Sequence, residues 1–422
     1  MNTMQILSVV VFLIVMLAIV SEKVHRTVAA VAGGVVLIFL HVLTVDDAVS
    51  YIDFSTIGVL IGMMLFVAVV RNSGLFEYVA IKAAKIAGGN PWKIMLLFVI
   101  LTAVLSAFLD NVTTVLLVGP MTIAITGILG LNPVPFLFTQ ILASNIGGTA
   151  TLIGDPPNIM IGSQAGLSFV DFVLNTGVAV VFIMIAVCLC FYFLYGRKMV
   201  VEPDKMAAVM QLDEQKSIKD HALLVKSVVM IVLVVLGFVF HSSIGVDSCA
   251  IALASATIML LIGKQDTEEI VLGVEWSTIL FFTGLFVVVG GMVQTGVITA
   301  LGNALVSVTG GNTILLMVLI LWGSALFSSF LDNIPFVATM IPLILAMQAE
   351  GMEVTPLWWA LSLGACLGGN GTLIGASANV VLSGISAKHG HPITFMRYLR
   401  VGFPMMILTV AISTVYLLVR FH

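Results

Sequence analysis

Charged residues are scarce in this sequence. Lys, Arg, Asp and Glu together make up 9% of its 422 residues, whereas 60% are hydrophobic. Soluble domains carry about 25% charged residues, and the mean hydropathy here is +1.19. A soluble fold is therefore excluded, and the composition predicts a polytopic membrane protein. The formal net charge of −4, with no basic patch, gives no support for binding to nucleic acid.

Cysteine is also scarce, and catalytic motifs are missing. The four cysteines lie inside apolar segments, without the spacing of metal ligands or of a disulfide framework; they are Cys188, Cys190, Cys249 and Cys366. We interpret them as small buried apolar residues. The sequence has no Gly-x-Ser-x-Gly, His-Glu-x-x-His or Gly-x4-Gly-Lys motif, which argues against an enzyme and against an ATP-driven pump. No cofactor is expected beyond a coupling ion.

Long hydrophobic runs are abundant instead. Two pairs of apolar arms flank polar tips, and each pair forms a re-entrant hairpin or crosses the membrane twice; they lie at about 94–109 with 115–130 and about 313–330 with 334–347. The amphipathic stretch Leu75–Ala87 predicts a helix lying in the membrane interface, with a less charged counterpart at Val297–Val308. Ten further runs are long enough to span a bilayer: about 4–20, 27–43, 56–71, 136–163, 171–195, 223–241, 248–263, 277–293, 358–385 and 401–419.

The sequence contains an internal repeat. The stretch Ser106–Ile125 recurs as Ser328–Ala346 at an offset of 222 residues, and Gly147–Gly154 recurs as Gly368–Gly375 at an offset of 221. The polar residues that match are Asp110 with Asp332, Asn111 with Asn333, and Asn158 with Asn379. We therefore divide the chain into repeat 1 (residues 1–196, with a hairpin at 94–130), a cytoplasmic linker (197–222) and repeat 2 (223–422, with a hairpin at 313–347).

The number of spans predicts that the two repeats have inverted topology. Five spans and one hairpin per repeat turn the second copy upside down, as in many secondary transporters. The basic residues agree, because the positive-inside rule places Lys and Arg in the cytoplasm. If the loop at residues 21–26 is cytoplasmic, only Arg420 falls outside. The first hairpin then opens from the cytoplasm, the second opens from the exterior, and both termini lie outside.

Asp110 and Asp332 are ionisable residues inside apolar runs. Such a residue is costly in the membrane and is a candidate functional site; the alternative is that each Asp caps a broken helix or pairs locally. Because Pro156 and Pro157 cannot continue a helix, the run at 136–163 should be interrupted there. Non-helical backbone at membrane depth lines a cavity or is buried in protein. The stretches expected to be non-helical, and so to locate the cavity, are 110–114, 145–155, 332–335 and 368–375.

Four motifs resemble those of a known transporter group. The stretches are SAFLDNVTTVLL, SNIGGTATLIGDPPN, DNIPFVATMIP and GACLGGNGTLIGASANVV, and they are similar to motifs of the ion transporter superfamily. Within it, they resemble the arsenite permease and sodium/proton antiporter group, and its P protein branch most. The resemblance implies an all-α polytopic membrane protein with two inverted-topology repeats, about ten transmembrane helices, two re-entrant hairpins and two broken helices. It also implies an elevator-type homodimer in the plasma membrane.

The same resemblance implies a substrate and ion site in each repeat. Carried over by motif, the first site comprises Asp110, Asn111, Thr113, Gly148, Thr151, Asp155 and Asn158. The second comprises Asp332, Asn333, Gly369, Asn370, Thr372 and Asn379. Na⁺ would bind at Asp110, Asn111, Asp332 and Asn333. Asp155 has no acidic counterpart, because repeat 2 has Ala376 there, so we expect site 1 to be the better cation or proton site.

The charges of Asp110 and Asp332 restrict which substrates are compatible with the site. Like unit charges a few ångström apart cost on the order of 4 kcal/mol even at an effective dielectric near 20, so Asp110 and Asp332 would repel a dianion. Di- and tricarboxylates are therefore disfavoured, whereas Na⁺, protons, a monovalent anion and neutral arsenous acid remain compatible. Cys366 alone is weak support for arsenite binding.

The sequence thus predicts a secondary active transporter. It would carry a small inorganic ion or metalloid, by arsenite efflux or sodium/proton antiport, coupled to H⁺ or Na⁺ by alternating access. The alternative is an anion or carboxylate transporter or channel of the same superfamily. A channel would need a continuous polar pore, and paired hairpins of opposite orientation favour occlusion instead.

Overall fold

The fold consists of helices. The computed structural model describes residues 2–21 and 23–421, of which about 80% are helical, with no strand among them. The helices of repeat 1 and the linker are α1 Thr3–Ser21, α2 Arg26–Phe39, α3 Val45–Ser50, α4 Phe54–Arg71, α5 Leu75–Ile86, α6 Pro91–Phe108, α7 Asn111–Leu129, α8 Val134–Gly148, α9 Pro156–Ala165, α10 Phe169–Phe172, α11 Val178–Leu194 and α12 Pro203–Met210. Those of repeat 2 are α13 His221–Phe240, α14 Ser248–Gly263, α15 Thr267–Leu272, α16 Trp276–Gln294, α17 Val297–Thr309, α18 Thr313–Phe330, α19 Asn333–Ala349, α20 Thr355–Gly368, α21 Ser377–Lys388 and α22 Phe395–Phe421.

Nine helices in the described part of the chain are long and apolar enough to cross a membrane. Three of them are hairpin arms, namely α6, α7 and α18. Four of the ten predicted spans are not among the nine, because α2 and α14 are short and the runs at 136–163 and 358–385 are interrupted. The prediction of an all-α polytopic membrane protein is confirmed. α5 and α17 coincide with the two predicted interfacial helices.

The predicted interruptions are present; the first is shorter than expected, and the second has the expected length but is shifted by one residue. α8 continues through Gly148, so break 1 comprises residues 149–155 rather than 145–155. Break 2 comprises residues 369–376. The tips contain almost no irregular backbone, because Asp110 and Asp332 serve as N-caps and the next residue is already helical. The expectation of non-helical backbone at 110–114 and 332–335 was wrong for this reason, since a side-chain cap satisfies the first free N–H groups.

The helices form two groups, and each group combines both repeats. One group, the scaffold, consists of α1, α2, α4, α13, α14 and α16, in which α4 packs on α14 and α2 packs on α16. Small residues allow these crossings: a Cβ on Gly62 would lie 2.6 Å from the Ala252 backbone, and one on Gly284 would lie 2.5 Å from that of Val31. The other group, the hairpin unit, consists of α6–α11 and α18–α22, in which α6 packs on α8 and α18 packs on α20. The repeats therefore interlock.

The two groups meet unevenly. α9 and α19 of the hairpin unit pack against α4 and α16 of the scaffold, and the rings of Phe169 and Phe238 stack at 6.0 Å between α10 and α13. α7 and α21, their counterparts in the other repeat, pack against each other. A cavity of about 440 Å³ lies between the α1–α2 loop, the tip before α19 and break 2. The hairpin unit thus has α9 and α19 against the scaffold, and the cavity lies where the tip before α19 and break 2 face the α1–α2 loop.

The linker lies against hairpin 1, the pair α6 and α7. α12 packs on α7 and α5, and Lys85 of α5 forms an ion pair of 2.5 Å with Glu214. A Cβ on Gly89 would meet the backbone of Met206 at 2.5 Å, so the linker approaches the turn before α6 closely. The linker is therefore a packed segment rather than a free loop.

Candidate functional site

Tip 1, the turn between α6 and α7, ends at Asp110, whose carboxylate is hydrogen-bonded to the first turn of α7. Asp110 Oδ1 accepts a hydrogen bond from the Thr113 backbone N–H at 2.8 Å, and Oδ2 accepts one from the Thr113 hydroxyl at 2.5 Å. No basic side chain among the described residues forms an ion pair with Asp110. The helix N-terminus and the hydroxyl are its partial counter-charges. Asp110 thus acts as a cap, and its negative charge remains without a full positive partner.

Tip 2, the turn between α18 and α19, also ends at a capping acid, Asp332, but its electrostatic environment is different. Asp332 Oδ1 accepts from the Ile334 N–H at 3.4 Å, while Oδ2 lies 2.5 Å from Arg26 Nη1 and accepts from the Ser377 hydroxyl at 3.3 Å. The sequence-based prediction treated both acids as uncompensated. Because Arg26 neutralises Asp332, the repulsion of dianions expected from two equivalent acids is weaker than predicted.

Asn158 and Asn379 shape the two breaks in the same way. The Asn158 side-chain amide donates to the carbonyls of Thr151 at 2.9 Å and Thr149 at 3.3 Å, and that of Asn379 donates to Thr372 at 2.9 Å and Gly369 at 2.7 Å. A buried carbonyl in a broken helix needs such a donor. Both residues were predicted to coordinate substrate, and in this structure their NH₂ groups hold the backbone of the breaks.

Threonine hydroxyls attach the breaks to the hairpins. Thr151 donates to the Ala107 carbonyl, and Thr372 donates to the Ser329 carbonyl, each in the last turn of a hairpin's first arm. The glycines permit the close approach: a Cβ on Gly148 would lie 2.8 Å from the Gly154 carbonyl oxygen. Gly369 is similar, with a Cβ that would lie 3.1 Å from Ala376 Cβ.

Asn145 joins the two halves of the site. Its side-chain NH₂ donates to Asn370 Oδ1 at 2.9 Å and to Asn379 Oδ1 at 3.0 Å, and its Oδ1 accepts from the Asn111 amide at 3.2 Å. Asn111, Asn145, Asn370 and Asn379 are all buried. One polar network therefore runs from tip 1 across to break 2. Asn145 was predicted only as the start of the break, and its central position comes from packing.

Asp155 joins tip 2 to break 1. Its carboxylate is 1% exposed and accepts from the Asn333 side-chain amide at 3.2 Å and 3.5 Å. The extra acid of repeat 1 therefore faces the tip of repeat 2. The described residues include no cluster of three or more His, Cys, Asp or Glu side chains that would hold a metal ion.

Cys366 occupies the position in repeat 2 that corresponds to Asn145 in repeat 1. It lies 221 residues after Asn145. Its Sγ is 3.6 Å from Asn158 Oδ1, and in the other repeat Asn145 Nδ2 makes the equivalent contact with Asn379 Oδ1. Asn158 Oδ1 also accepts from the Ser362 hydroxyl at 2.6 Å. This thiol is buried in the network and has no second cysteine beside it.

All thirteen predicted site residues lie at the two tips, in the two breaks or within three residues of a break, and their roles in binding remain predictions. Sequence reasoning missed Asn145, Arg26, Ser362 and Ser377. Asn145 and Ser377 lie inside two of the quoted motifs, so an inspection of all polar residues in those motifs could have found them. Nothing in the sequence connects Arg26 with Asp332, which lies 306 residues later.

Comparison with known proteins agrees with the architecture. The chain matches the family described as CitMHS, citrate transporter, over residues 16–364. It is 43% identical over 426 residues to an uncharacterized transporter of Mycobacterium tuberculosis, with 99% of both chains covered. It is 34% identical over 486 residues to the P protein of Homo sapiens, with 95% of this chain and 58% of that protein covered.

A solved structure shares the fold. The YdaH transporter of Alcanivorax borkumensis, whose topology is described as unusual, superposes with a TM-score of 0.63 and 14% sequence identity, covering 99% of this chain and 98% of that one. The predicted resemblance to the ion transporter superfamily is confirmed, and the relatives are transporters rather than enzymes, as predicted. The chain is thus an integral, multi-pass membrane transporter that belongs to the CitMHS citrate-transporter family.

Proposed function

We propose that this protein is a secondary active transporter of a small inorganic ion or metalloid, coupled to Na⁺ or H⁺ by alternating access. The observation that carries the proposal is the Asp110 carboxylate, which lies at a membrane-embedded tip with no ion-pair partner among the described residues. It adjoins a buried amide network that connects both repeats. Carboxylate and amide oxygens are ligands that suit a hard cation, and a buried carboxylate suits a proton.

Transport would proceed by displacement of the hairpin unit against the scaffold. Under the predicted orientation, the cavity of about 440 Å³ opens on the cytoplasmic side, because it adjoins the loop before α2. The half of the hairpin unit that packs on the scaffold, α9 and α19, is then the exterior half. These two features together support an inward-facing state of an elevator. As the family resemblance implies, we expect the working form to be a homodimer in the plasma membrane, with the scaffold at the dimer interface.

Two substrate classes remain in contention. Arsenite efflux and sodium/proton antiport are favoured by Asp110 and Asp155, which form no ion pair with a basic side chain of the described residues. An anionic or carboxylate substrate is the second candidate, because Arg26 supplies a positive charge at the cavity wall and the matched family is described as a citrate transporter. Arg26 also reduces the electrostatic argument against such anions.

The test uses purified protein in liposomes that contain a pH-sensitive dye. Na⁺ is added outside to wild-type protein and to Asp110→Asn and Asp332→Asn variants. Asn caps a helix as well as Asp does, so each substitution removes the charge and preserves the cap. We expect sodium-driven proton efflux in the wild type and its loss in Asp110→Asn.

The matched control is Asp220→Asn, since Asp220 caps α13 from the linker, remote from both tips. Loss of flux in this variant as well would show that removing any capping charge inactivates the protein. If Na⁺ has no effect but arsenite or citrate changes the internal pH in wild-type vesicles, the substrate is a metalloid or a carboxylate, respectively. Discrete current steps in a planar bilayer would contradict transport by alternating access and indicate a channel.

A further inference from the structure

Arg26 forms the one ion pair that the described membrane-embedded helices contain. Its Nη1 atom lies 2.5 Å from Asp332 Oδ2 and 3.0 Å from Ser377 Oγ. Nη2 lies 3.4 Å from Thr278 Oγ1, and the guanidinium lies over the Phe281 ring, 5.1 Å from its centroid. Four neighbours therefore hold this guanidinium at tip 2.

The pair joins the two groups of helices. Arg26 begins α2 of the scaffold, and Thr278 and Phe281 belong to α16 of the scaffold. Asp332 caps α19 and Ser377 begins α21, both in the hairpin unit. Any displacement of the hairpin unit against the scaffold must separate the guanidinium from Asp332. A carboxylate left without counter-charge inside a membrane is costly, so another cation has to replace Arg26 before the movement.

Tip 1 lacks this arrangement. α14 is the repeat-2 counterpart of α2, and its first residue is Ser248, 222 residues after Arg26. Pro156 stands where repeat 2 has Ser377. Within residues 2–21 and 23–421, Asp332 thus has a cationic partner, whereas Asp110 has hydrogen bonds alone. The two acids, equivalent in the sequence repeat, are inequivalent in charge.

An ion can reach this pair from outside the protein. The cavity of about 440 Å³ has Arg26 and Asp332 in its wall, and their side chains are 27% and 14% exposed. The other ionisable groups nearby, among the described residues, are His25, also in the wall, Glu275, which accepts from the Thr278 hydroxyl at 3.0 Å, and the buried Asp155, which accepts from the amide of Asn333, the residue next to Asp332. Asp332 is therefore accessible to a small cation without rearrangement of the backbone.

We propose that Arg26 is a tethered counter-ion that Asp332 exchanges for the coupling cation, and that this exchange permits the hairpin unit to move. The proposal rests on the cation-coupled transport proposed above. The entering cation takes the place of the guanidinium on Asp332 Oδ2, and Arg26 stays with the scaffold, near Thr278 and Phe281. An empty carrier is held in place by the ion pair. Arg26 then competes directly with the cation, so its removal must increase the apparent affinity for that cation.

The experiment measures the half-saturating concentration of the driving cation in proteoliposomes. The cation is whichever of Na⁺ or H⁺ drives flux in the wild type. For Arg26→Gln we expect the half-saturating concentration to fall roughly fivefold or more, the usual lower range for coupling between two bound groups. Arg26→Lys retains the charge with fewer contacts and should give an intermediate value. In Arg26→Gln with Asp332→Asn the gain in affinity should disappear, because the acid for which the two cations compete is absent.

Lys23→Gln is the control, since Lys23 lies in the same loop, is exposed and forms no ion pair among the described residues. If it shifts the affinity as much as Arg26→Gln does, a general surface-charge effect explains the result and the proposal fails. Unchanged affinity in both Arg26 variants, in protein that still transports, contradicts the exchange and leaves the proposed function intact. A wild-type protein that responds to neither cation contradicts both.

Discussion

Single residues in this site combine a structural role with a chemical one. Asp110 caps α7 and carries an uncompensated charge, so the two interpretations of this acid, as a helix cap and as a functional group, are compatible. The side-chain amides of Asn158 and Asn379 donate hydrogen bonds to backbone carbonyls of the breaks. A motif thus identifies which residues are placed at the site, whereas the contacts decide what each atom is free to do.

One prediction for a single residue concerns the contribution of Asp155 to ion coupling. Asn at position 155 can still accept from the Asn333 amide, but it carries no charge. A hydrogen bond to a charged group is worth about 1.5–3 kcal/mol, so we expect the Asp155→Asn variant to lose ion coupling by roughly tenfold or more at unchanged expression. The measurement is cation-driven flux in liposomes, with Asp220→Asn as the acid-to-amide control. Coupling equal to wild type would show that Asp155 does not hold the ion.

The positions of the helices and breaks were predictable where hydropathy and nearby residues along the chain determine them. Hydropathy located all nine helices in the described part of the chain that are long and apolar enough to cross a membrane. Pro156 located the start of α9, because proline has no N–H to donate and is well accommodated in the first turn of a helix. Break 1 was predicted four residues too long, since Asn145–Gly148 remain helical. The length of a break depends on side-chain donors such as Asn158, whose targets are known only once the chain has folded.

The contact between α6 and α8 gives the prediction at the scale of elements. A Cβ on Gly147 would lie 2.2 Å from the Ala103 carbonyl oxygen, so the Gly147→Ala variant forces two helices apart at a cost of about 1–3 kcal/mol. Gly127 in α7 has no atom within 4 Å of such a Cβ, and Gly127→Ala should be neutral or stabilising by about 0.5–1 kcal/mol. Thermal unfolding in detergent compares the two. Equal melting temperatures would contradict the close packing.

The whole molecule is divided by packing, not by the sequence repeat. Each repeat contributes helices to the scaffold and to the hairpin unit, so the boundary between repeats at the linker is not the boundary between the two helix groups. The groups touch through α9 and α19 and through single side-chain contacts such as Ser163 Oγ to Asp53 Oδ1 at 2.9 Å. The proposed elevator movement would slide one group on the other across these contacts.

A cross-link tests the sliding movement. In a variant with the native cysteines replaced, Asp53→Cys with Ser163→Cys places two thiols across the boundary between the groups. A short thiol-reactive linker should abolish transport, and cleavage of the linker should restore it. Ser55→Cys with Asp247→Cys is the matched pair inside the scaffold, where the parent side chains are 2.7 Å apart, and its cross-link should leave transport largely intact. Normal transport by the protein linked at 53 and 163 would refute the elevator.

The sequence by itself determined the membrane class, the helical content, the internal repeat and the positions of the tips and breaks. These properties follow from hydropathy and from local rules for proline and helix caps, which act over a few residues. Only the tertiary structure decided that Arg26 neutralises Asp332, that Asp155 faces Asn333 and that Asn145 bridges the repeats. Their partners are separated by 178 to 306 residues, and such contacts arise from how the two helix groups pack rather than from any local pattern.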